Sequence, residues 1–287
     1  MHSFAVKTPA ELLPFLFERS SGIAKTRVKK WLALQCVSVN GKPVTKHNFA
    51  LSPRDVVEVT PGKKVLRPKR SSIRLIYQDA ALIVIEKPEG LLTIATEKIK
   101  TKTAYFELND MLESSAPGHR ERAFIVHRLD RETSGLLVFA RSQAVQYKLQ
   151  KNWEKVEKKY YAVVEGVPSK KSDILRSHLA QNTILKVYST EESEHTKLAI
   201  THYEVLRTNK KYSLLDVTPK TGRKNQIRVQ LADIKHPIAG DEKYGAVSDP
   251  AGRLALHAYQ LSFPHPITGK PVTFKSELPQ ALAYILQ

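Results

Sequence analysis

The chain has 287 residues and a mass of 32.4 kDa, room for one large domain or two unequal ones. Hydrophobic residues make up 41% and charged residues 26%, ordinary globular usage that excludes wholesale disorder. Lys and Arg number 46 against 28 Asp and Glu, a formal net charge of +18; such an excess points to a polyanionic partner and says nothing of fold. The alternative is a basic surface that serves only solubility. One cysteine, Cys36, leaves no internal disulfide framework and no cysteine-cluster metal site. No apolar run approaches the roughly 20 residues of a membrane-spanning helix. The start, MHSFAVKTPAELLPF, lacks the layout of a signal peptide. A protein of the reducing cytoplasm, with no membrane association, is expected.

Basic residues concentrate early. Residues 1–70 hold 14 Lys/Arg and 4 Asp/Glu, more than half of the excess. Ala24, Val28, Trp31 and Leu32 recur at helical spacing, with Lys25, Arg27, Lys29 and Lys30 around them. A short strand, Val37 to Val39, meets the turn Asn40-Gly41, and a second strand follows at Val56 to Val59. The helix read alone is a basic amphipathic helix with a solvated face. This module is expected over residues 1–62, followed by a Pro-, Gly- and Lys/Arg-rich linker over 63–72 and a larger domain over 73–287.

In the larger domain, strands are expected at 73–77 and 82–85, then the loop Lys87-Pro88-Glu89-Gly90 and a helix over 103–112. A strand at 124–126 leads through a polar loop to a strong strand at 136–140. A helix over 143–154 and an alternating strand over 158–165 follow. Further strands are expected at 197–207, 212–218, 254–261 and 271–275, with helices over 223–234 and 278–286. The class is α+β with a mostly antiparallel mixed sheet.

His127 to Ala140 reads HRLDRETSGLLVFA, a polar loop delivered straight into an apolar strand. A rigid strand suits the anchoring of a reactive side chain. A lone loop aspartate is more often a turn or cap residue, and His127 with Asp130 makes a poor metal pair without further ligands. The segment, however, resembles the HRLDxxTSGLL signature of the RluA-type RNA pseudouridine synthases. Four further stretches fit that family in the same order: KPEGL from Lys87, KKYYAVVEG from Lys158, TGRKNQIRVQL from Thr221, and GDEKYG from Gly240 with LHAYQLSFPHPITGKPVTF from Leu256. Asn225 and Gln230 stand where the family usually has histidine, and the proline that often follows KPxGL is missing. The segments AKTRVKKWL and VSVNGKPV resemble the small RNA-binding domain of ribosomal protein S-four, which many of these synthases carry.

The resemblance implies the pseudouridine synthase fold and the isomerisation of selected uridines in ribosomal or transfer RNA. No metal, redox step or nucleotide cofactor is implied, in keeping with the absence of GxGxxG, GxxxxGK[ST] and HExxH motifs. It implies Asp130 as the reacting carboxylate, acting as nucleophile or as base toward the ribose. It places the active-site tyrosine at Tyr160, at the head of an alternating strand, where it can stack on uracil. It places the basic residue at Arg228, one position off the apolar stripe Ile227–Leu231–Ile234, where it can keep Asp130 ionised. Arg223 and Gln226 share that motif and are expected at the substrate, and Leu231 is expected against the base. Arg128 is expected to fill the space left by a flipped nucleotide or to hold a phosphate. Lys25, Arg27, Lys29 and Lys30 are expected to meet the RNA backbone. A monomer without protein partners is expected. An inactive RNA-binding factor and a glycosidic hydrolase are the competing readings.

Overall fold

The computed structural model describes residues 2–33, 36–60, 72–97, 99–115 and 122–287. The chain divides into two compact units, Met1–Arg70 and Ser71–Gln287. The expected linker over 63–72 lies outside the described residues but for Ser72, and so does the Lys30 side chain.

The first unit contains β1 (His2–Ala5), β2 (Ala10–Glu11), α1 (Leu12–Arg19), α2 (Lys25–Ala33), β3 (Val37–Val39), β4 (Lys42–Pro43), β5 (Ala50–Leu51) and β6 (Val56–Val59). Four strands form an antiparallel sheet in the order β1-β6-β3-β4. Leu12, Leu16, Val28, Leu32, Val37 and Val57 are wholly buried together. Asn40 and Gly41 both take positive φ, 51° and 76°, the geometry that joins β3 to β4 in a two-residue turn. The Asn40 side chain then donates to Asp55 at 2.8 Å and accepts from Val56 N–H at 2.9 Å. Lys25, Arg27 and Lys29 are exposed on α2 while Val28 is buried. Helix α1 is not among the elements expected from the sequence. Its residues, LLPFLFER, bury Leu12, Phe15 and Leu16 at helical spacing, but apolar neighbours on both sides mask that spacing in the sequence, and Pro14 stands in the first turn, where the ring is tolerated.

The second unit contains β7 (Arg74–Gln78), β8 (Leu82–Lys87), α3 (Ala104–Ser115), β9 (Phe124–Ile125), β10 (Ser134–Ala140), α4 (Gln143–Lys151), β11 (Glu157–Glu165), β12 (Ser172–Gln181), β13 (Val187–Thr190), β14 (Lys197–Thr208), β15 (Tyr212–Pro219), α5 (Gln226–Asp233), β16 (Leu256–Pro264), β17 (Pro271–Lys275) and α6 (Gln280–Tyr284). One sheet runs β13-β12-β14-β15-β11-β16-β10-β8-β7, with β17 added to β16 and β9 to β10. Its pairings are antiparallel except β10 with β16. The expected α+β class with a mostly antiparallel mixed sheet is what the molecule has.

Strand β10 lies inside this sheet between β16 and β8, and all seven of its residues are buried. Gly135 sits where β10 runs beside β16, with φ of +120°; a Cβ there would overlap the Ala258 carbonyl oxygen. Only glycine permits this approach. The hairpin of β12 and β13 is a further element that the sequence does not announce. In β12 the two buried residues are Leu175 and Leu179, and polar Ser177 between them on the same face breaks the apolar alternation of a strand.

Candidate active site

Strand β10 carries the HRLD loop at its N-terminal end, and four sets of contacts fix that loop. The Thr93 hydroxyl donates to the Leu129 carbonyl at 2.8 Å and accepts from Leu129 N–H at 3.2 Å. The Lys87 ammonium, wholly buried, donates to the carbonyls of Pro88, Leu91 and Arg131 at 2.8, 2.7 and 3.1 Å. Burial lowers its pKa to about 8, partly offset by Glu132, Glu89 and Asp130. Thr133 N–H closes the turn on the Asp130 carbonyl at 3.3 Å. The His127 ring stacks on Trp153 with centroids 4.4 Å apart, and its Nε2 accepts from Val138 N–H at 3.1 Å. Desolvation, aided by the nearby Lys158, lowers the His127 pKa to about 3. The ring is therefore neutral, with its proton on Nδ1.

These anchors present Asp130, 34% exposed in its side chain, to a cleft of about 780 Å³. Tyr160, Arg128, Lys158, Ile227 and Leu256 line the same cleft. Tyr160 heads the inward face of β11, where Val217 and Ala258 flank it on neighbouring strands. Burial, with the charge of Asp130 adding to it, pushes the Tyr160 hydroxyl well above the usual phenol range, so it is a neutral hydroxyl at physiological pH. A second cavity of about 380 Å³ opens on the other side of Asp130, bordered by Lys224, Arg228 and Lys243.

Helix α5 brings the remaining partners from far along the chain. Arg228 Nη1 lies 3.9 Å from Asp130 Oδ2 and 3.6 Å from Glu132. Its shorter bonds go elsewhere: Nε and Nη2 grip the two oxygens of buried Asp241 at 2.7 Å each. Burial works against the Arg228 charge, but Asp241 outweighs it, with Asp130 and Glu132 adding support, so the pKa is raised. The direct hydrogen bond to Asp130 comes instead from Asn225, whose Nδ2 donates to Oδ2 at 2.6 Å.

Two expectations change here. Leu231 does not reach the base; it is wholly buried in the core beneath α5, and Ile227 and Leu256 supply the apolar lining. The cause is that α5 is buried over the whole stretch from Gln226 to Leu231, so no single stripe marks its inward side. Gln226 borders the cleft, but its amide has no hydrogen-bonding capacity left for a substrate. It donates to the Ile200 carbonyl at 3.0 Å and Thr201 at 2.8 Å, and accepts from Thr221 at 2.7 Å and Arg223 N–H at 3.0 Å. Its work is to hold the TGR turn. Arg223 also borders the cleft, with Nε donating to the Leu198 carbonyl at 3.1 Å. Of the residues the sequence singled out, Asp130, Tyr160, Arg228, Arg128, Arg223 and Gln226 come together at one cleft, and Leu231 does not. Lys25, Arg27, Lys29 and Lys30 belong to the other unit.

Sequence alone assigns no role to Asn225, Lys87 or Asp241. Each has a signal: Asn225 departs from the family pattern, Lys87 opens KPEGL, and Asp241 lies in GDEKYG. What cannot be read is which atom each touches, because their partners are distant in sequence. Among the described residues no group of three His, Cys, Asp or Glu side chains is arranged to hold a metal ion, and no helix is long and apolar enough to cross a membrane.

A buried interior strand, a carboxylate loop at its end and a guanidinium from a distant helix meet at one cleft, and comparison with known proteins supplies the class of enzyme. Residues 81–233 match the family model described as RNA pseudouridylate synthase. An uncharacterised RNA pseudouridine synthase of Mycoplasma pneumoniae is 32% identical over 96% of this chain and 91% of its own length. Ribosomal large subunit pseudouridine synthase D of Neisseria meningitidis serogroup A is 31% identical over 92% of this chain and 74% of its own. The structure of human RNA pseudouridylate synthase domain containing 4 superposes with a TM-score of 0.61 at 26% identity, covering 74% of this chain and 90% of that one. The chain belongs to the RNA pseudouridine synthase family and is an isomerase of RNA.

Proposed function

We propose that this enzyme converts specific uridines in structured RNA, ribosomal or transfer RNA, to pseudouridine with Asp130 as the reacting carboxylate and without a cofactor. The observation that carries this reading is the seating of Asp130 in the large cleft with Tyr160 beside it and Arg228 Nη1 at 3.9 Å. Ribosomal RNA is favoured because matched relatives are named as synthases of the large ribosomal subunit.

The reaction breaks the bond between ribose C1′ and uracil N1, turns the base, and joins C5 to C1′. Asp130 serves the first step, either by attacking C1′ or by taking a proton from the ribose. Arg228 supplies a fixed positive charge near that carboxylate. Tyr160 stacks on the uracil with a neutral hydroxyl that can hydrogen-bond the base, while C5 gives up its proton to solvent and N1 takes one up, so the isomerisation balances. Leu256 and Ile227 give the base an apolar seat. The target nucleotide must leave its stack, at a cost of a few kcal/mol, and Arg128, exposed at the rim, is placed to fill the gap or hold a phosphate. The S-four-like unit adds backbone affinity through Lys25, Arg27, Lys29 and Lys30. We take the enzyme to work as a monomer in the cytoplasm.

Asp130→Asn keeps the size and one oxygen of the side chain while removing its charge. Release of tritium from RNA labelled at uridine C5 is expected to fall by at least about 100-fold, with RNA affinity unchanged. Parental turnover in that variant would remove Asp130 from the chemistry. Free uracil among the products would convert the reading to glycosidic hydrolysis.

A further inference from the structure

Arg228 was the partner expected for Asp130, yet two of its nitrogens are committed to Asp241, and the third stands 3.9 Å off. The short contact is the one from Asn225, at 2.6 Å. Two features show that this contact is built. Asn225 occupies the N-cap of α5 but makes no side-chain cap bond, so the amide that would ordinarily close the helix end is free for Asp130. Its backbone has φ of +51°, a left-handed conformation that asparagine tolerates better than most residues and that a β-branched residue accepts far less readily.

The amide also has a defined direction. The Tyr244 hydroxyl donates to Asn225 Oδ1 at 3.3 Å. That bond occupies Oδ1 as an acceptor. The amide then has only its NH2 to offer Asp130. A reversed amide would set oxygen against carboxylate and lose both bonds.

We infer that Asn225 is the positioning residue for Asp130: it holds Oδ2, leaves Oδ1 for the ribose, and takes its own orientation from Tyr244. This rests on the reading of Asp130 as the reacting group. A neutral amide suits the task. It constrains the carboxylate without taking up a proton and without adding a second full charge beside Arg228, Glu132 and Asp241.

The test compares Asn225→Gly, Asn225→Asp and Tyr244→Phe with the parent enzyme, using single-turnover rates and RNA affinity. Glycine accepts the positive φ but cannot donate. Its expected effect is a fall in kcat of about 10- to 100-fold, the worth of one hydrogen bond to a charged group, with KM and Kd for RNA within about twofold. Aspartate keeps shape and backbone preference but sets like charge against Asp130, so its loss is expected to be at least as large as glycine's. Phenylalanine at 244 frees the amide to turn and is expected to lower kcat less than either, again without a change in affinity. Thermal unfolding of each variant separates a folding defect from a positioning one. Parental kcat in Asn225→Asp, or equal losses of kcat and RNA affinity in Asn225→Gly, would overturn the inference. Asp130→Asn run alongside keeps the two readings apart, since its inactivity sustains the role of Asp130 whatever Asn225 does.

Discussion

His127 opens the signature loop, and its chemistry is structural. Stacked on Trp153 and accepting from Val138 N–H, it has a folded-state pKa of about 3 against an ordinary 6.5. The unfolded chain therefore binds this proton first as the pH falls. The stability His127 contributes is whole above about pH 6.5 and is lost progressively toward pH 3. His257, buried between Ser134 and Ser276 and lowered mainly by desolvation to about 4, acts in the same direction. Urea titrations between about pH 7 and pH 4.5 should show stability falling with acidification, and less steeply in His127→Gln. An equal slope in that variant would assign the acid sensitivity to other groups. Lys87 carries a second prediction. Lys87→Met fills similar space but strands three carbonyls, two in the KPEGL loop and one at Arg131. A loss of about 1–3 kcal/mol is expected in denaturant unfolding, with a further drop in turnover because the Asp130 loop is then without one of its anchors.

At the scale of elements, the legible parts were those with a local signature. Strand β10 could be read from Leu136 to Ala140 because a strand buried on both faces is a continuous apolar run. The Asn40-Gly41 turn could be read because few residues accept two positive φ values in succession. The hairpin of β12 and β13 could not, because Leu175 and Leu179 are the buried side chains in β12 and polar Ser177 between them interrupts the alternation. The polar contacts of α5 were equally hidden: nothing local to TGRKNQIRVQL tells that Arg228 grips Asp241, that Gln226 is spent on the TGR turn, or that Leu231 points to the core. Gly135 shows the converse, a motif residue whose reason emerges only from pairing. Gly135→Ala would drive a methyl group into the Ala258 oxygen at a φ of +120°. We expect a loss of about 3 kcal/mol or more, visible as a lowered melting temperature or failure to accumulate as folded protein; parental stability would mean that β10 and β16 can part without cost.

The whole molecule consists of two units with unequal charge. Residues 1–70 contain 14 Lys/Arg and 4 Asp/Glu, and the other 217 hold the larger core and the cleft. If affinity resides mainly in the first unit and chemistry in the second, removing residues 1–70 should leave a folded 71–287 fragment with weaker RNA binding. The plot of log affinity against log salt should flatten by about 0.7–0.9 for each phosphate that is no longer neutralised. A fragment with the parental salt slope would locate the backbone-binding cations in the catalytic unit instead.

The two-pronged grip of Asp241 on Arg228 has one more meaning. A guanidinium held at both Nε and Nη2 cannot rotate toward or away from its neighbours, so its field at Asp130 is the same before and after RNA arrives. The energy of arranging that field is met when the protein folds, and under the proposed role of Asp130 none of it has to be found again during the bond-breaking step.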